Sequence, residues 1–133
     1  MKKTIASLMA AGAFLMLTGC SSVQNAGSKE LNGMPLTDSG TTVAHVSGNA
    51  AGFYFLWFPL FTGSTQTPGN ISCFGEDSCN VTAVTKMVTA KSKSLGGAKT
   101  VDMVSLSDSS MVPIPIPYLF YWKTATVSGN SIR

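Results

Sequence analysis

Charge is what this 133-residue chain has least of: Asp, Glu, Lys and Arg make up 11% of it, six acidic and nine basic residues beside a single histidine. Histidine is the usual general base near neutral pH. His45 stands among alternating β-branched residues with no carboxylate or nucleophile beside it, and reads as an ordinary half-buried strand residue. Of the carboxylates Glu30, Asp38, Glu76, Asp77, Asp102 and Asp108, only Glu76 and Asp77 are close in sequence, and neighbours in a chain rarely form a working acid–base pair. The chain has no Gly-x-Ser-x-Gly elbow and no His-Glu-x-x-His, and its Gly96-Gly97 follows a predicted helix instead of opening one. These absences argue against an enzyme and against a bound cofactor. Nucleic acid is excluded on similar grounds. Lys86, Lys91, Lys93 and Lys99 are spread through one segment without interleaved aromatics, the pattern of a solvated helix face.

What is present begins at the N-terminus. Lys2 and Lys3 precede an uncharged run from Ile5 to Leu17, which ends in Leu17-Thr18-Gly19-Cys20. This resembles the lipobox of bacterial lipoproteins. The resemblance implies cleavage after Gly19, a thioether-linked diacylglycerol on Cys20 and a fatty acid on the new amino group. A transmembrane anchor fits less well, because the 15 residues from Ile5 to Gly19 fall short of the roughly 20 a spanning helix needs. An ordinary secretory signal would end in a small-x-small cleavage site, which this is not. One acyl chain anchors marginally and two or more hold stably, at about 0.8 kcal/mol per buried methylene. Ser21 and Ser22 follow the cysteine with no Asp, which under the lipoprotein sorting rule implies the outer membrane, facing the periplasm.

Removing residues 1–19 leaves 114 residues, room for one domain and one modest core. Lys2 and Lys3 leave with them, so seven basic residues face six acidic ones and the net charge falls to about +1. Assigning Cys20 to lipid leaves Cys73 and Cys79 as an even pair in an oxidising compartment. Five residues separate them, unlike a Cys-x-x-Cys redox pair, and only His45 offers a third ligand where zinc needs about four. A disulfide around Phe74–Ser78 is the expectation, worth roughly 2–3 kcal/mol, and no metal site is expected.

Residues 20–40 are small, polar or turn-forming and predict a flexible lipidated tether, with the domain occupying residues 41–133. Thr41 to Ser47 reads as a first strand ended by Gly48-Asn49. Gly52 to Phe61 is the densest apolar segment; Phe53–Phe61 is read as a core strand, the alternative being a surface that meets lipid or a partner. Ser78 or Asp77 is positioned to cap a helix running to about Leu95 and stopped by Gly96-Gly97, with Val81, Val84, Val88 and Leu95 near one face. Strand remains the alternative for Val81–Thr89, which is rich in Val and Thr. Lys99–Leu106 predicts a strand, Ser107–Ser110 a turn, Val112–Pro117 a stiff extended lead, and Tyr118–Val127 a strand with bulk on both faces. Val46-Ser47-Gly48-Asn49 recurs as Val127-Ser128-Gly129-Asn130, read as a turn repeated at two strand ends.

The succession of helix, Gly97-Ala98 and apolar strand in Met87–Val104, behind a lipobox, resembles TRL-like lipoproteins and, in outline, RcsF-type envelope-sensor lipoproteins. The expected fold is α+β: a small antiparallel sheet of about four strands with one helix on one face. The expected function is non-enzymatic, through protein contacts in the cell envelope, with the membrane held through Cys20. A module binding a lipid or a small apolar ligand is the alternative, to be distinguished by an enclosed pocket against a flat exposed aromatic patch.

Overall fold

A computed structural model describes residues 21–27, 29–74, 76–112 and 118–133. The expected leader at 1–19, Cys20 and the prolines of 113–117 lie outside the described residues. Among the described residues six strands form one antiparallel sheet: β1 (Ser22–Gly27), β2 (Thr42–Phe55), β3 (Phe58–Gly63), β4 (Ile71–Cys73), β5 (Lys99–Val112) and β6 (Phe120–Ile132). One helix, α1 (Val81–Ser94), packs on one face. The α+β class is as expected, but the sheet is larger than four strands. Its order is β4-β3-β2-β6-β5. β6 runs along one side of β2, while β1 and β3 lie end to end along the other, opposite Ala44–Asn49 and Gly52–Phe55.

The helix seats on a floor of small residues. On β2 the buried positions alternate as Ala44, Val46, Gly48, Ala50, Gly52 and Tyr54, and on β6 as Ala125, Val127, Gly129 and Ser131. Val84, Met87 and Val88 of α1 fill the space above them. A Cβ on Gly48 would stand 2.8 Å from Val88 Cγ2 and 2.9 Å from Met87 Cε, so glycine here sets the helix-to-sheet distance. The helix begins at Asn80, not at Ser78 or Asp77: Asn80 Oδ1 accepts from the Ala83 amide at 2.8 Å. Gly96, at φ +85, follows its end, and Lys91 and Lys93 in the last turn complement the helix dipole. Val84 and Val88 are buried as their spacing predicts, with Val81 and Leu95 partly buried beside them.

Four expectations are corrected. The strand expected at Thr41–Ser47 does not end at Gly48-Asn49; the two Val-Ser-Gly-Asn copies lie inside β2 and β6 and face each other, Val46 opposite Gly129, Ser47 opposite Ser128 and Gly48 opposite Val127. Their glycines admit close neighbours instead of turning the chain. The segment expected as one strand from Gly52 to Phe61 is a hairpin, with Phe55 opposite Phe58 and a two-residue turn at Leu56-Trp57. Leu56 carries the reversal at φ 54. Ser107–Ser110 is no turn: these residues pair with Ala125–Trp122 and carry β5 on to Val112.

The tether is also shorter than expected. Ser22–Gly27 is a strand paired with Asn49–Ala44, and buried Ser21 donates through Oγ to the Ser64 carbonyl while its own carbonyl accepts from Gly69 N at 3.0 Å. Polar side chains do not prevent strand formation here, because the unpaired edge of β2 supplies the backbone partners.

Candidate functional site

The face of the sheet opposite α1 carries no helix among the described residues, and it divides into a polar half and an aromatic half. Strand alternation places His45, Ser47 and Asn49 of β2 beside Thr126, Ser128 and Asn130 of β6 at one end. There His45 Nδ1 and Asn130 Oδ1 are 2.8 Å apart, and Asn130 Nδ2 donates to Asp102 Oδ2 at 3.1 Å. Asp102 reaches this position because β5 shifts register between Val101 and Val104, with Asp102 at φ 52. Sequence could not join residues so far apart, and no signal in it marks the bulge. The chain His45–Asn130–Asp102 orients the imidazole. No nucleophile hydrogen-bonds to His45 among the described residues, so the arrangement ties β2, β6 and β5 together.

At the other end the same face is aromatic. The Phe53 and Phe120 rings stack at 5.5 Å, Trp122 tilts against Phe53 at 6.4 Å, Phe55 against Phe120 at 5.4 Å, and Phe74 against Phe61 at 5.9 Å. Trp57 in the β2–β3 turn is 81% exposed and Tyr118, before β6, is 69% exposed. The two tips meet: the Leu56 amide donates to the Leu119 carbonyl at 2.7 Å. The reading of Phe53–Phe61 as core therefore holds for Tyr54 alone, whose ring is fully buried on the helix side. Phe53 and Phe61 are half-buried, and Phe55, Trp57 and Phe58 are exposed.

Cys73 and Cys79 are separate free thiols, not the expected disulfide. Cys73 lies on β4 opposite Phe61, which is opposite Phe53, so register places it on the open face. Cys79 is buried in the core cluster with α1, where its Sγ lies 3.3 Å from the Ala50 carbonyl and 3.1 Å from that of Lys123. The sheet stands between them. What fastens this loop instead is polar. Tyr54 donates its hydroxyl to Asp77 Oδ1 at 2.5 Å, the Cys79 amide donates to the same oxygen at 3.2 Å, and Thr62 Oγ1 donates to the Glu76 carbonyl at 2.7 Å. Burial, and then the hydrogen bond to Asp77, hold the Tyr54 phenol far above its ordinary 10.0. Burial, and next the Asp77 charge, push the Cys79 thiol up from 9.0 to about 11. Lys123 Nζ sits 4.2 Å above the Tyr54 ring centroid. The Tyr54 phenol and the Cys79 thiol are thereby held in their neutral forms near neutral pH.

The surface hollows are open grooves. One, about 550 Å³, is lined by Glu76, Asp77, Asn80 and Lys86 together with Ala83 and Met87. A smaller one, about 380 Å³, lies at the aromatic tip among Leu56, Trp57, Ser109, Tyr121 and Lys123. Among the described residues no three His, Cys, Asp or Glu side chains gather to hold a metal, and no helix is long and apolar enough to cross a membrane. The remaining surface of note is β5. It is the edge of the sheet beyond β6, and Asp102–Met111 are all exposed. No family model, no curated protein and no solved structure matches the chain.

Proposed function

We propose that this chain is an envelope lipoprotein, anchored through Cys20 to the periplasmic side of the outer membrane, that works non-enzymatically through protein contacts. The lipobox-like Leu17-Thr18-Gly19-Cys20 supports the anchor. The observation that carries the contact role is β5, 14 residues long and, among the described residues, paired on one side only. Edges of this length template pairing with another chain unless they are covered, twisted away or charged. β5 carries charge only at Lys99, Asp102 and Asp108, and Val104 and Leu106 stand 67% and 69% exposed. A ligand-binding module would call for an enclosed apolar cavity, and the grooves described above are open.

The test is in-cell photo-crosslinking of the full-length protein, with the crosslinking side chain placed at Leu106 on β5 and, as control, at Thr82 on the exposed face of α1. One reproducible adduct of fixed mass from Leu106 and none from Thr82 is the expected result. Adducts of equal yield from both positions, or none from either, would remove the edge from the account.

A further inference from the structure

Gly52 to Gly63, which forms the β2–β3 hairpin, the end of β5 from Ser109 to Val112, and Tyr118 to Trp122 at the start of β6 carry no Asp, Glu, Lys, Arg or His. They converge at one end of the sheet, where Leu56 bonds Leu119 and the Phe53, Phe55, Phe120 and Trp122 rings lie together. Four basic residues gather at the opposite end, while Lys123 and Asp77 lie beside Tyr54 on the helix side of the aromatic end. Lys91 and Lys93 close α1, Lys99 opens β5 opposite Ile132, and Arg133 donates to the Gly96 carbonyl at 3.3 Å. The molecule is thus polarised along its strands, with exposed aromatics at one pole. Exposed apolar side chains that cluster in this way mark surfaces that meet a partner or a membrane.

The position of the chain's entry says what lies against this pole. Ser21 is buried and bonded to Ser64 and Gly69, and Ser22 sits opposite Asn49. Because β1 runs antiparallel to β2, the chain comes into the sheet from the aromatic side. Asn49 is four residues from Phe53 and six from Phe55, roughly 13 and 20 Å along an extended strand. Cys20 precedes Ser21 directly, so no slack separates a lipid on Cys20 from the folded sheet.

We infer that the aromatic end of the sheet, led by Trp57 and Tyr118, docks on the phospholipid bilayer that holds the Cys20 lipid. The inference rests on the lipid-anchor reading above. Trp and Tyr are the side chains that favour the bilayer–water interface, where an apolar ring meets a polar headgroup layer. A domain pinned within a residue of its acyl group cannot stand off from that layer. The end that carries Lys91, Lys93, Lys99 and Arg133, with the first half of β5, is then held toward the periplasm.

Both tryptophans of the chain, Trp57 and Trp122, are at this end, so intrinsic fluorescence reports on it alone. The full lipidated protein is reconstituted into phosphatidylcholine vesicles, with or without bromine on the upper acyl-chain carbons, as wild type and as Trp122→Phe. Trp122→Phe leaves Trp57 as sole reporter and changes one aromatic ring for another. Expected are flotation with the vesicles, a blue shift of Trp57 emission relative to detergent-free soluble Cys20→Ser protein, loss of emission in brominated vesicles, and protection from aqueous acrylamide. Flotation with Trp57 unquenched by bromine and open to acrylamide overturns the docking and leaves the anchor standing. Flotation with Trp57 shielded from both quenchers overturns it in favour of a second copy or another protein over the patch. An unmodified Cys20 by mass, with no flotation, overturns the anchor and the docking that rests on it.

Discussion

At the residue scale the two described cysteines separate by environment. Cys73 is exposed on the edge strand β4, and Cys79 is buried beneath α1. Under native conditions a maleimide should add once among these two, at Cys73, and a second time only after denaturation; peptide mass mapping reads the outcome. A native protein that takes up no maleimide until reductant is added would contradict the free thiols. Cys79 also has a pH signature. Its folded pKa, about 11, lies above its ordinary 9.0, so the unfolded chain loses this proton first as pH rises. The stability it contributes is whole below pH 9 and lost as pH climbs toward 11, and Tyr54, raised above 10.0, steepens the loss in the same direction. Thermal melts from pH 7 to 11 should show Tm falling above pH 9, and falling less in Cys79→Ala.

Sequence distance explains why the pairing of Cys73 with Cys79 was the natural expectation. Five intervening residues permit a bridge, and the arithmetic of an even pair favours one. The side of the sheet on which each cysteine falls is a property of β4's register with β3 and of the loop's attachment through Asp77 and Thr62. Neither is written locally.

At the scale of elements the helix was the most legible part, its cap apart, because its signals are local: apolar residues recurring at three and four, Gly-Gly behind it. β1 and the second half of β5 were hidden for the opposite reason. Ser-Val-Gln-Asn-Ala-Gly and Ser-Asp-Ser-Ser have the chemistry of turns, yet each pairs backbone to backbone with a long neighbour, and ladder partners override weak propensity. The Val-Ser-Gly-Asn copies misled similarly, since Gly48 serves helix packing inside a strand. Gly48→Ala should destabilise the protein by about 1–3 kcal/mol by forcing its Cβ against Val88 and Met87. In a Val88→Ala background, which removes the nearest obstructing methyl, the same change should cost less. A double-mutant cycle by urea denaturation measures the coupling. Equal costs in both backgrounds would show that Gly48 does not set the helix distance.

At the scale of the whole molecule, the order of elements gave the α+β class but not the size of the sheet, and its polarity came from topology. The charge-free stretches could be read in the sequence, but that Gly52–Gly63 meets Ser109–Val112 and Tyr118–Trp122 at one end depends on β6 pairing both β2 and β5 along its length. The account has a lipid at Cys20, an aromatic pole beside it and a free edge strand available to a partner. Everything about where the protein works depends on the first of these. The measurement that tests it most directly is the intact mass of the protein extracted from membranes, compared with Cys20→Ser. Wild type should begin at Cys20 and carry the mass of a diacylglycerol and an amide-linked fatty acid, and Cys20→Ser should be lost from the membrane fraction or retain residues 1–19. A wild-type mass without lipid, or a Cys20→Ser protein still processed and held in the membrane as wild type is, would contradict the account.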